Sequence, residues 1–217
     1  MTRAVPAVFV LIALALTALP AGSSGWPSAA RPAGALEAID SWPVLRPATS
    51  SMPMGQNLVV NPGFESGTAD AADGWGHYVD GYGVADGEGR GGGRALRLDN
   101  RPATASHGAA QTIVLDPPSD RALFLTGWSR SEAVTGTVDG NYSVYLDLRY
   151  ADGTPLYGQR LDFDAGSHDW QPLERFIVPA RPVQSISFYC LLRRSHGGTA
   201  WFDDLELRQV EAPLADF

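Results

Sequence analysis

Two stretches near the C-terminal end of the sequence carry rings and charged groups on alternate positions. In NYSVYLDLRY (141–150), one parity holds Val144, Leu146 and Leu148, and the other holds Tyr145, Asp147 and Arg149. In VQSISFYCLLRR (183–194), one parity holds Ile186, Phe188, Cys190 and Leu192, and the other holds Tyr189 and Arg193. Side chains in a strand alternate between faces, so a shared sheet would display the second set on its outside. With the neighbouring stretch PLYGQRLDFD (155–164), the predicted ligand-binding residues of this face are Tyr145, Tyr189, Arg149, Arg193, Arg160 and Asp147.

Rings beside planar hydrogen-bonding groups suit a sugar ligand. A pyranose has an apolar C–H face that stacks on a ring, and its hydroxyls need both donors and acceptors. An ordinary solvated sheet face has the same composition and remains the alternative interpretation. Two acids of the same face, Asp147 and Asp162, could also form the pair of carboxylates that glycoside hydrolysis requires.

A pair of acids, Asp203 and Asp204, stands inside the apolar stretch GGTAWFDDLEL (197–207). Strict alternation places Asp203 on the same face as Leu205 and Leu207, which predicts an inward-pointing carboxylate. A buried carboxylate requires a hydrogen-bonding partner or a metal ion. Either a cation or backbone and arginine donors would satisfy it.

The overall composition excludes several classes of site. The net charge is −8, which argues against nucleic acid as a partner. All 16 basic residues are arginine, so no lysine chemistry is available. The four histidines are scattered without metal-binding spacing, and Cys190 is the single cysteine and falls on the apolar parity of its strand.

The N-terminal part has a different character from the rest. Arg3 is followed by an uncharged apolar run and then by small residues, the pattern of a secretory signal peptide, here residues 1–23. Residues 24–55 are rich in Pro, Ala and Ser and are expected to be a linker of low order. We therefore expect a protein that is secreted, periplasmic or on the cell surface, with no membrane span after cleavage.

From residue 56 onward the sequence reads as strands separated by turns. About ten short apolar stretches of period two are joined by segments such as DPPSD, ADGTP and SHGG. This pattern predicts an all-β fold, an antiparallel β-sandwich of the jelly-roll type, over residues 56–210, followed by a tail at 211–217. No long helix is expected, and the domain is expected to be a monomer.

The chain resembles the CenC-type carbohydrate-binding modules, which are galactose-binding-domain-like jelly rolls. The resemblance rests on NLVVNPGFESG (57–67) with GW (74–75), LFLTGWSR (123–130), HDWQPLERFIVP (168–179) and TAWFDDLELRQV (199–210). It covers roughly residues 57 to 210. It implies a structural calcium ion held by Glu65 and an acid of FDD, which the parity argument identifies as Asp203, with carbonyls of loop 87–93 completing the shell.

The family's sugar-contacting residues vary, so the resemblance assigns none of them by position. Trp75 and Tyr82 lie in or beside loops and are predicted to line one end of a groove. The favoured function is a non-catalytic module that binds a poly- or oligosaccharide. A protein-interaction sandwich and a jelly-roll glycoside hydrolase or polysaccharide lyase are the alternatives.

Overall fold

A computed structural model describes residues 52–211. The predicted signal peptide, residues 24–51 of the predicted linker and residues 212–217 of the predicted tail lie outside the described residues. The domain's first strand begins at Met54. Among the described residues there is no helix of the length and apolarity needed to span a membrane.

Residues 52–211 form strands and connecting loops and contain no helix. The connections hold many Gly, Asp and Pro residues, which favour turns over continued regular structure. The strands are β1 (Met54–Asn57), β2 (Gly76–His77), β3 (Gly83–Asp86), β4 (Arg94–Asn100), β5 (His107–Ser119), β6 (Leu123–Val134), β7 (Tyr142–Tyr150), β8 (Pro155–Asp162), β9 (Gly166–Ile177), β10 (Val183–Leu192) and β11 (Gly198–Val210).

The strands form two antiparallel sheets that pack face to face. The six-stranded sheet has the order β3-β4-β11-β6-β9, and β1 pairs with β11 outside this path. The five-stranded sheet has the order β2-β5-β10-β7-β8. The predicted all-β antiparallel sandwich of the jelly-roll type is therefore confirmed.

The core lies between the two sheets. On β7 and β10 it consists of the alternate residues that the sequence predicts to face inward. On β7, Val144, Leu146 and Leu148 are at most 1% exposed, and on β10, Ile186 and Phe188 are fully buried. These strands are hydrogen-bonded neighbours, with Leu146 directly opposite Phe188. Their other faces therefore form one continuous outer surface.

The parity prediction fails on β11, because a β-bulge interrupts the strand. Asp203 pairs with Trp128 but Glu206 pairs with Thr126, so Asp204 and Leu205 together oppose one residue of β6. Asp204 adopts a φ of 47°, the left-handed conformation of an extra bulge residue. Phe202 before the bulge and Leu205 after it both face the core, and Asp203 lies on the outer face, where loops cover it.

Candidate functional site

Three tyrosines form a row across the outer face of the five-stranded sheet. Tyr145 and Tyr189 are directly opposite each other on β7 and β10, and their ring centroids are 6.3 Å apart. Tyr78, which follows β2, lies 5.6 Å from Tyr189. All three are half-buried, so part of each side chain is accessible to solvent. We call the surface formed by these three residues the tyrosine face.

Arginines and an acid border the tyrosine face. Arg160 on β8 is directly opposite Tyr145, and the guanidinium of Arg193 lies 5.8 Å from the centre of the Tyr145 ring. The Nη2 of Arg193 donates to the carbonyl of Gly140 at 2.8 Å. The Oδ1 of Asp147 accepts the backbone N–H of Gly158 at 3.1 Å. The structure thus brings five of the six sheet residues predicted for this face together around one surface.

The sixth predicted residue, Arg149, lies on the same face but farther along β7. It pairs with Ser185 of β10, and its Nη1 donates to the carbonyl of Gly153 in the following turn. It is therefore directed toward the end of the strand. Tyr157 was not predicted for this surface, although it is 63% exposed. A register shift at Gly158, with a φ of 74°, moves Tyr157 to the outer face, and a glycine within a strand pattern is the sequence signal for such a bulge.

The hydroxyl of Tyr145 stays protonated at neutral pH. Burial raises the pKa of Tyr145, and the charge of Asp147 raises it further. Nearby, Arg160 is held by an ion pair to Asp162 at 2.8 Å, and this carboxylate raises the pKa of Arg160. The face therefore presents the neutral phenol of Tyr145 beside fixed donors and acceptors. A polyhydroxylated ligand needs this combination, because each hydroxyl both donates and accepts.

The prediction that Trp75 and Tyr82 line a groove is wrong, because both side chains are part of the core. Trp75 is 6% exposed and packs against the rings of Phe64 and Phe188, at 5.0 and 5.8 Å. Tyr82 is 8% exposed, and its hydroxyl donates to the carbonyl of Trp75 and accepts the N–H of Ala72. Apolar rings next to a sheet edge are buried by folding the loop over the core, which leaves no open face for stacking.

Asp203 is buried as expected, but beneath loops rather than in the core. It is 4% exposed, its Oδ2 accepts the backbone N–H of Arg90, and its Oδ1 accepts that of Asp204, both at 2.7 Å. Burial raises the pKa of Asp203 to about 6, against the pull of these hydrogen bonds, and the charges of Asp204 and Glu65 add to the rise. The ionised carboxylate is therefore incompletely compensated.

Glu65 lies on the same side of the sandwich as Asp203. Its Oε1 accepts the N–H of Arg94 at 3.0 Å. A Cβ at Gly63 would lie 3.3 Å from an oxygen of Asp203 and 3.9 Å from one of Glu65, so both carboxylates border this glycine. Among residues 52–211, no three His, Cys, Asp or Glu side chains form a metal-binding group. A cation here would need main-chain oxygens as well, which calcium accepts.

The outer face of the six-stranded sheet carries a second cluster, which the sequence analysis missed. Trp201 on β11 is directly opposite Arg97 on β4 and Arg130 on β6. The guanidinium of Arg130 lies 4.3 Å from the centre of the Trp201 ring, and that of Arg97 lies 5.8 Å from it. Arg130 also lies 5.5 Å from the ring of Trp170. We call this set of four residues the Arg–Trp cluster.

Solved structures with the same fold include carbohydrate-binding modules. The CBM22-1 xylan-binding domain of Paenibacillus barcinonensis Xyn10C aligns with a TM-score of 0.52 and 17% identity, over 73% of this chain and 97% of that one. A family 16 carbohydrate-binding module aligns with a TM-score of 0.52 and 20% identity, over 70% and 99%. At this identity the likeness establishes a shared fold. No family model matches the chain.

One group of curated proteins is similar in sequence. The tRNA nuclease WapA of Bacillus subtilis (strain 168) is 30% identical over 152 residues, which is 68% of this chain and 6% of WapA. The tRNA3(Ser)-specific nuclease WapA of Bacillus spizizenii is 33% identical over 101 residues, 45% of this chain and 4% of that protein. The chain thus spans a small fraction of the length of the curated relatives it matches.

Proposed function

We propose that this domain is a non-catalytic carbohydrate-binding module that holds a poly- or oligosaccharide on the tyrosine face. The observation that carries the proposal is the row of Tyr78, Tyr189 and Tyr145, half-exposed and bordered by Arg193 and Arg160. Rings of this kind stack on the apolar faces of successive sugar units, and the guanidiniums bind their hydroxyls. The shared fold with a xylan-binding domain supports the proposal and makes xylan the first ligand to test.

The CenC-type motifs and the apolar N-terminal run refine this proposal. They favour a module that is secreted, periplasmic or on the cell surface and binds glycan there. The proposal also takes the domain to be a monomer. The acidic balance of the chain, with a net charge of −8, disfavours the phosphate backbone of a nucleic acid. We therefore propose binding, rather than nuclease activity, as the role of this chain, which matches 6% of WapA.

We also propose that a structural calcium ion binds between Glu65 and Asp203. Support comes from the chemistry of the donor set, since two carboxylates border Gly63 and that of Asp203 is buried with an elevated pKa. The loop of residues 87–93 already contacts this place through the N–H of Arg90 and adjoins Glu65 through that of Arg94. Calcium would offset the carboxylate charge and fix both loops on the edge of the sandwich.

The enzymatic alternative receives less support from the acids of the tyrosine face. Asp147 accepts a backbone N–H from Gly158, and Asp162 is paired with Arg160. Both contacts stabilise the local sheet structure, which is the usual role of charged groups on strands. Release of reducing ends or of unsaturated sugars from a polysaccharide by the purified protein would reverse this assignment.

Affinity electrophoresis tests the proposed function. The gels contain soluble xylan, galactan, mannan or mixed-linkage β-glucan. A carbohydrate-binding module is retarded by at least one of these polysaccharides. A protein-interaction sandwich migrates as it does in a gel without polysaccharide. Equal mobility in every gel, with the protein folded, would therefore contradict the proposal.

Replacing Tyr145 or Tyr189 by alanine is expected to weaken polysaccharide binding by roughly tenfold each, about 1.4 kcal/mol, because each removes a stacking surface. The domain should remain folded, with a loss in unfolding free energy of about 0.5–1.5 kcal/mol for each ring contact removed, because both rings are half-buried on the outer face of the sheet. Phe176→Ala is the control, because Phe176 is an exposed ring on the other sheet. Unchanged affinity in both tyrosine variants would remove the tyrosine face from the site.

A further inference from the structure

Three residues of the Arg–Trp cluster, namely Arg97, Arg130 and Trp201, line a pocket on the side of the sandwich opposite to the tyrosine face. The pocket has a volume of about 440 Å³, within the usual range of small-molecule sites. Four of its lining side chains are charged at neutral pH: Arg97, Arg130, Glu88 and Glu132. Ser131, His168 and Trp201 complete the lining.

The side chains of this pocket are held in place from several elements. Glu88, from the loop after β3, accepts the indole N–H of Trp201 and lies 3.5 Å from the Nη2 of Arg130. Arg97 is paired with Asp99 at 3.0 Å. Trp201 is 6% exposed and is covered by the guanidinium of Arg130, so it orients the arginines and offers no stacking surface of its own.

Hydrogen-bonding capacity in this region exceeds what the protein itself satisfies. Among residues 52–211, five buried side-chain nitrogen or oxygen atoms have no partner, although nearly all such atoms in folded proteins have one. Two of them belong to residues that line the pocket, namely the Nε atoms of Arg97 and Arg130. A third, the Oγ1 of Thr199, lies outside the lining, on the residue that pairs with Glu132. The other two belong to Arg193 and Asp162, on the proposed sugar-binding face.

The charge balance selects the class of ligand. The two arginines and two glutamates that line the pocket have no net formal charge. For an anion, the attraction of the two guanidiniums is offset by the repulsion of Glu88 and Glu132, and for a cation the two effects are reversed, so the charges favour neither kind of ion. An apolar ligand would desolvate all four groups without replacing their hydrogen bonds. A neutral saccharide can use donors and acceptors at once, because its hydroxyls do both.

We propose that this pocket is a second saccharide-binding site, which takes one or two units of a neutral glycan. The inference rests on the proposed function for the nature of the ligand and on the Arg–Trp cluster for its location. The sheets of a sandwich pack about 10 Å apart, so sites on their two outer faces cannot share one sugar ring. The domain is then bivalent, and it bridges two polysaccharide chains or two segments of one chain.

Isothermal titration calorimetry counts the binding sites. The ligands are oligosaccharides prepared from whichever polysaccharide retards the protein: xylan, galactan, mannan or β-glucan. Two sites per domain are expected for the wild-type protein and one for the Tyr145→Ala/Tyr189→Ala double variant. The Arg97→Gln/Glu132→Gln variant should also keep one site, and adding both substitutions to the tyrosine double variant should weaken the remaining site at least about tenfold. Glu174→Gln, an exposed acid on the outer face of the same sheet, is the matched control for Glu132→Gln.

The outcomes separate this inference from the proposed function. One site per domain, lost in the tyrosine double variant and unchanged by Arg97→Gln and Glu132→Gln, overturns the second site and leaves the first. One site lost in the pocket variants but kept in the tyrosine variant supports the pocket and overturns the tyrosine face. Wild-type protein that binds none of the glycans overturns both. Thermal unfolding of each variant verifies that the domain remains folded.

Discussion

Replacing Phe202 by alanine is expected to lower the free energy of unfolding by about 3–5 kcal/mol, as measured by urea denaturation. Phe202 is fully buried between the sheets. Its ring centroid lies 5.9 Å from that of Tyr142 and 5.8 Å from that of Phe163, both edge to face. Removing it leaves a cavity in a part of the core where strands of both sheets meet, and the rigid ladders cannot close around it.

Phe176→Ala is the matched control for this experiment. Phe176 is 39% exposed on an edge strand and stacks on Phe124 at 4.7 Å. Losing that contact should lower the free energy of unfolding by about 0.5–1.5 kcal/mol. Strict alternation along β11 would place Phe202 on the outside. If Phe202→Ala lowers the free energy of unfolding no more than Phe176→Ala does, the bulge at Asp204 is contradicted.

The fold follows from the sequence wherever a strand is regular. Val144, Leu146 and Leu148 repeat every second residue, and burying one side of such a strand fixes which side faces the solvent. The bulge in β11 could not be predicted in this way, because its left-handed residue is Asp204 rather than a glycine. The spacing of Phe202 and Leu205, two apolar residues three positions apart in a strand, was the available signal.

The candidate site was predictable to the extent that it lies on neighbouring regular strands. Tyr145 and Tyr189 share the outer parity of β7 and β10, and these strands are paired. Trp75 lies in a loop beside the two-residue strand β2, where no periodicity indicates whether a ring points inward. The Arg–Trp cluster combines single residues from β4, β6, β9 and β11, and only the strand order of the sheet brings them together.

The calcium-stripped protein is expected to lose stability as the pH rises from about 4 to about 6. The pKa of Asp203 is near 3.8 in the unfolded chain and about 6 in the folded one, so the folded state binds more protons in this interval. The stabilising effect of the bound proton is complete below pH 4 and is lost as the pH passes through 6. The expected loss in unfolding free energy is on the order of 2–3 kcal/mol. Thermal or urea unfolding across this range, in protein freed of divalent ions, measures it.

Calcium should reverse this trend, because the proposed ion would bind the ionised carboxylates of Asp203 and Glu65. At a calcium concentration a hundredfold above the dissociation constant, calcium should raise the free energy of unfolding at neutral pH by about 2.7 kcal/mol. Asp203→Asn should abolish both the pH dependence and the calcium response. Glu65→Gln should abolish the calcium response and keep most of the pH dependence, since the buried charge of Asp203 remains. Equal unfolding free energy with and without calcium at pH 7 would contradict the calcium site alone. An unfolding free energy that does not change between pH 4 and pH 6, in protein freed of divalent ions, would contradict an uncompensated charge on Asp203.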